Sequence, residues 1–180
     1  MAGKKYAKDY RLSDTLDERG RIRTETAYIG AYYRFTVGED AARTAIRQML
    51  VFTGLGSLCF LVSLLPRSTA SLTLYVMLPY LFTALPLALM SAALLRIRSL
   101  GGKLDRRSAD QANERVPGCC VWLLLLPALS LIGEGIALTL GHVAFLPGDG
   151  LFLVGALGAA SCGLLCSRKK TLLRAEAERN

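Results

Sequence analysis

The chain has 180 residues, a length suited to one domain, and is 52% hydrophobic and 20% charged with a formal net charge of +8. Charge and apolarity do not interleave: residues 48–66, 68–95, 116–133 and 150–167 contain no Asp, Glu, Lys or Arg, and uncharged apolar runs of about 18 residues or more read as membrane-spanning helices. A soluble domain mixes the two classes at helix or strand period, so a soluble enzyme and a DNA-binding module are both excluded.

The N-terminal segment comes first. Ile22, Thr24, Thr26 and Tyr28 alternate with Arg23, Glu25 and Ala27, the two-residue period of a half-buried strand. Asp17-Glu18-Arg19-Gly20 precedes them as a turn, and Tyr10 and Leu12 lie upstream, so residues 8–30 are read as a short cytoplasmic β-hairpin. Two strands alone are marginally stable, which asks for support from helix ends, headgroups or another protein. Tyr28, Tyr32, Tyr33 and Phe35 stand just before the first apolar run, where aromatic rings anchor at the membrane interface or offer a binding epitope.

Thr36-Val37-Gly38-Glu39 has the spacing of a capping box, in which Thr and Glu side chains satisfy the first free amides of a helix. Span one is expected at 48–65, ended by Pro66. Span two, 72–95, carries Pro79 and Pro86 seven residues apart, so two breaks fall near one face, as hinges or as fixed adjustments in a packed bundle. Residues 96–118 read as a polar loop with Gly101-Gly102, and spans three and four follow at 119–141 and 151–166. Gly133, Ala137 and Gly141, and likewise Gly155, Ala159 and Gly163, form small-residue ladders at four-residue spacing that let helix backbones approach closely. Spans three and four are therefore expected to pack as a tight antiparallel hairpin, although the ladders equally suit a homo-oligomer.

Lysine and arginine set the topology, because basic residues flanking short loops are retained in the cytoplasm. Residues 1–47 hold ten, 96–115 hold six and 168–179 hold five, while the two remaining connections hold Arg67 alone. Both termini and the central loop are thus expected inside, with 67–70 and 142–149 outside. No apolar run follows a short basic start within residues 1–40, so span one is read as an uncleaved insertion signal. The basic excess is explained by retention and by attraction to anionic headgroups, without a nucleic-acid partner.

Glu134 is the single acid inside a span, at a cost of about 2.5–3.5 kcal/mol on insertion scales. Two readings stay open for it. It could be a proton- or cation-coupled carboxylate, or it could hydrogen-bond another span at Thr53, Ser57, Tyr75 or Tyr80; Arg67 and His142 are outer-side candidate partners. Cys59, Cys119, Cys120, Cys162 and Cys166 lack the Cys-x-x-Cys spacing of thiol oxidoreductases and behave as small apolar residues. With one His and no acid pair within the spans, no convergent catalytic set can be drawn. No cofactor or metal is expected.

The sequence thus reads as an all-α integral membrane protein with four transmembrane helices and both termini inside. An N-terminal segment (1–35) bears the hairpin, a four-helix domain spans 36–167, and a basic tail covers 168–180. Short loops and an uncleaved basic start suit a bacterial cytoplasmic membrane. A non-enzymatic accessory or assembly component, partnered by the bilayer, a homo-oligomer, or a membrane or cytoplasmic protein, is the leading expectation; a small oligomeric proton- or cation-coupled transporter using Glu134 is the alternative.

Overall fold

A computed structural model of the chain describes residues 6, 9–16, 22–65, 73–101, 103–140 and 147–177. Arg67, Gly141, His142, the turn at 17–20 and Pro66 lie outside the described residues.

The chain begins with strands β1 (Tyr10–Leu16) and β2 (Ile22–Tyr28), paired antiparallel from Tyr10 with Tyr28 to Leu16 with Ile22. Ile29 N–H extends the ladder to the Asp9 carbonyl at 2.9 Å. A third short strand, β3 (Tyr33–Phe35), precedes the long helix α1 (Glu39–Ser63). The second helical stretch is divided into α2 (Leu74–Phe82) and α3 (Ala84–Ser99). The third joins α4 (Arg106–Asp110), a wide π-type turn over Gln111–Arg115 and α5 (Val116–Thr139), and α6 (Pro147–Lys169) is the fourth. A 3-10 turn (Lys170–Leu173) leads into strand β4 (Ala175–Ala177).

Four helical stretches, Glu39–Ser63, Leu74–Ser99, Arg106–Thr139 and Pro147–Leu173, are long and apolar enough to cross a membrane. They close a ring: α1 packs on α6, α6 on α5, α5 on both α2 and α3, and α3 back on α1. The interior holds Met49, Leu87, Met90, Leu94 and Leu123, with Tyr80 stacked between Phe60 and Phe152 at ring-centroid distances of 5.2 and 4.7 Å. The outside is also apolar: Leu58, Leu61, Trp122, Ile132 and Val154 all stand exposed. Helices apolar all round need an apolar environment on their outer faces.

Several local expectations are corrected. The capping box does not form; Gly38 is the N-cap of α1 without a side-chain bond, because Thr36 is engaged with the tail, its N–H and hydroxyl both donating to the Arg174 carbonyl at 2.9 and 3.2 Å. The span with two prolines breaks once, at Thr83, whose N–H turns back to the Tyr80 carbonyl at 2.9 Å. That position lies three residues before Pro86, where the ring obstructs the preceding turn, and both prolines face the interior.

The expected loop at 96–118 is largely helical. Asp105 caps α4 by accepting the Ser108 N–H at 3.1 Å, and the helix then runs on into α5 through the wide turn. That turn ends two residues before Pro117, which lacks the N–H an α-helical turn would need there. The basic tail is not free either: β4 pairs with β3, Tyr33 opposite Ala177 and Phe35 opposite Ala175, while Leu173 and Ala175 are buried.

Candidate functional site

Polar chemistry concentrates at two places, one at each end of the bundle. At the first, three segments distant in sequence fold together into a platform. Strand β3 is flanked by β4 on one side and by Leu104 on the other, Tyr33 and Leu104 exchanging two backbone hydrogen bonds of 3.0 Å. Asn113 clamps the tail through both groups of Ala175, donating to its carbonyl at 2.9 Å and accepting its N–H at 3.0 Å.

Arg96 ties α3 to this platform, its guanidinium donating to Asp105 at 3.0 Å and to the Ser108 hydroxyl at 3.2 Å. Because Asp105 also caps α4, one carboxylate fixes both the end of the second helical stretch and the start of the third. The β1–β2 hairpin is attached from its base. The Tyr28 hydroxyl donates to the Ala31 carbonyl at 2.8 Å and accepts the Arg106 N–H at 3.0 Å. Arg106 lies 3.7 Å from Asp9, and the Tyr6 hydroxyl donates to Asp110 at 2.9 Å. Burial, followed by the nearby charges of Asp9 and Asp105, raises the Tyr28 phenol above its ordinary value of 10.0 against the opposing effect of the Arg106 N–H.

At the far end lies Glu134, wholly buried on α5, five residues before the helix ends. Among the described residues no group hydrogen-bonds to either of its carboxylate oxygens. The four hydroxyls expected as partners are committed elsewhere or turned away. Thr53 donates to Met49, Ser57 to Thr53, Tyr80 shares a hydrogen with Ser63, and Tyr75 is exposed. Asp149, in the first turn of α6, is the other wholly buried acid among the described residues. Asp149 falls within the expected outer connection 142–149, where the structure instead has the first turn of α6. Its signal was present in Pro147, a helix-starting residue, followed by an acid in the first turn.

The small residues serve close packing, between α5 and α6 as expected and also toward α1 and α2. A Cβ on Gly155 would fall 2.5 Å from the Ser63 Cβ and 2.9 Å from the Cys59 carbonyl of α1, and one on Gly163 would meet Leu123 of α5 at 3.0 Å. Gly133 turns to α2, where a Cβ would lie 3.2 Å from Val76. α5 and α6 pack against each other as expected, and α6 also turns small residues to α1, with Ala137 and Ala159 buried. The five cysteines are free thiols, and among the described residues no three His, Cys, Asp or Glu side chains gather as a metal site. The chain matches no protein-family model, no curated protein and no solved structure.

Proposed function

We propose that the protein is a four-span integral membrane protein, resident in a bacterial cytoplasmic membrane with both termini inside, and that it works as a non-enzymatic assembly or accessory component. The observation that carries this reading is the platform. The N-terminal segment, the 103–115 segment and the tail meet at one end of the bundle through the Tyr33–Leu104 bridge, the β3–β4 ladder and the Asn113–Ala175 clamp. These are the three basic segments that retention would hold in the cytoplasm, and they carry a hairpin whose two strands, among the described residues, pair only with each other. Open strand edges are ready templates for β-strand addition by a partner.

Crosslinking in intact membranes followed by affinity purification tests it. A discrete partner should be recovered with the full chain and lost on deletion of residues 10–28, while the helical bundle persists. An uncrosslinked monomer, indifferent to that deletion, contradicts the reading.

A second reading is favoured by one specific observation, the complete burial of two acids, Glu134 on α5 and Asp149 on the neighbouring α6. Intramembrane acids mark proton and cation pathways, and two of them on adjacent helices could hold a proton or monovalent cation between them in an oligomeric transporter. Proteoliposomes should then show a pH-driven flux that Glu134→Gln abolishes; flux unaffected by that change removes Glu134 from the mechanism.

A further inference from the structure

Where the platform meets the bundle, an open cleft of about 840 Å³ separates the start of α1 from the end of α3, a volume within the range of about 300–1,000 Å³ that small-molecule sites occupy. Its chemistry is divided by height. Ile46 and Ile97 form a buried apolar floor, and Leu50 and Val51 carry the apolar wall onward along α1, with Val51 62% exposed. Arginines line the upper rim. Arg43 is engaged, donating to the Gly101 carbonyl at 3.2 Å and lying 3.5 Å from Glu39. Arg47 and Arg98 line the same cleft, exposed, and neither is hydrogen-bonded or ion-paired among the described residues. Arg47 is the last charged residue before the uncharged run 48–66, and Arg98 lies just beyond the uncharged run 68–95. The two guanidiniums therefore mark the level at which an apolar outer surface gives way to a polar one.

We propose that this cleft binds the headgroup of an anionic glycerophospholipid, with the phosphate on Arg47 and Arg98 and an acyl chain along Leu50 and Val51. A planar guanidinium offers forked donors that match phosphate oxygens, and basic pockets at the ends of adjacent spans suit acidic headgroups. The Arg43–Glu39 pair neutralises itself, leaving two uncommitted positive charges. These attract an anionic lipid and repel the ammonium of a zwitterionic one. The inference rests on the membrane reading above.

The full-length protein is first tested for retention in carbonate-washed membranes; release at that stage overturns the membrane reading. Retained protein is reconstituted into nanodiscs of phosphatidylcholine containing phosphatidylglycerol, and bound lipid is counted by native mass spectrometry. The wild type should prefer phosphatidylglycerol by about tenfold or more, and Arg47→Gln with Arg98→Gln should bring that preference close to unity. A headgroup photocrosslinker on phosphatidylglycerol, applied to the wild type, should label residues 43–51 or 97–101. Equal retention of the two lipids by the wild type, a preference that survives the double substitution, or labelling elsewhere overturns the proposal. Displacement of the lipid by millimolar inorganic phosphate also overturns it, because the site would then read a free anion.

Discussion

Asn113 and Ala175 are 62 positions apart, yet the side-chain amide of one satisfies both backbone groups of the other, at 2.9 and 3.0 Å. The amide takes the place of a neighbouring strand, closing β4 on the side that β3 does not cover. Ala175 is 4% exposed, so water does not readily replace the amide. Asn113→Ala should cost about 1–3 kcal/mol and free the tail. Hydrogen exchange at Ala175–Ala177 should accelerate well before the helices exchange; unchanged protection would show that the clamp contributes nothing.

Two glycines on neighbouring helices should respond in opposite ways to alanine. At Gly155 the new Cβ meets Ser63 and the Cys59 carbonyl, and a backbone oxygen cannot rotate aside, so α1 and α6 must separate at a cost of about 1–3 kcal/mol. At Gly135 nothing lies within 4 Å, and alanine is the better helix former by up to about 1 kcal/mol. Thermal unfolding in detergent should place Gly155→Ala below the wild type and Gly135→Ala at or above it. Equal losses at both would refute the close α1–α6 approach.

The hairpin attachment should loosen in strong alkali. Tyr28 donates to Ala31 through its neutral hydroxyl, and its pKa is raised in the folded chain by burial first, then by acidic neighbours. The neutral phenol therefore contributes stability fully below the unfolded value near 10.0, and that contribution is lost as pH rises through the higher folded value. The phenolate absorbance assigned by difference from Tyr28→Phe should titrate above pH 10.0, together with exposure of the hairpin base. Titration below that value would contradict the attachment.

Glu134→Gln should leave the bundle folded, with a melting temperature unchanged or raised, because among the described residues no group hydrogen-bonds to the Glu134 carboxyl and the amide keeps its volume. A collapse of helicity on this isosteric change would mean that the carboxylate holds a partner essential to the fold.

The four helical stretches were legible because helices long and apolar enough to cross a membrane leave long uncharged runs in the sequence, and the hairpin because Ile22–Tyr28 alternates at strand period. The platform was not. Strands of three residues such as Tyr33–Phe35 and Ala175–Ala177 carry no period, and a clamp between positions 113 and 175 leaves no local trace. Thr36 shows how tertiary contacts override a local motif: its hydroxyl fits a capping box by spacing, but the Arg174 carbonyl claims it. Glu134 was recognisable as an isolated acid in an apolar run, whereas Asp149 looked like a loop residue until α6 began at Pro147.

The most direct test of the four-span arrangement is impermeant maleimide labelling of single-cysteine variants in intact cells. Arg107→Cys and Glu176→Cys sit on exposed positions of the platform, and Leu65→Cys sits just beyond the opposite end of α1, where Leu65 is 82% exposed. Labelling of Leu65→Cys from outside, with the two platform cysteines reacting only after permeabilisation, is the predicted result. Labelling of either platform cysteine in intact cells would contradict the account.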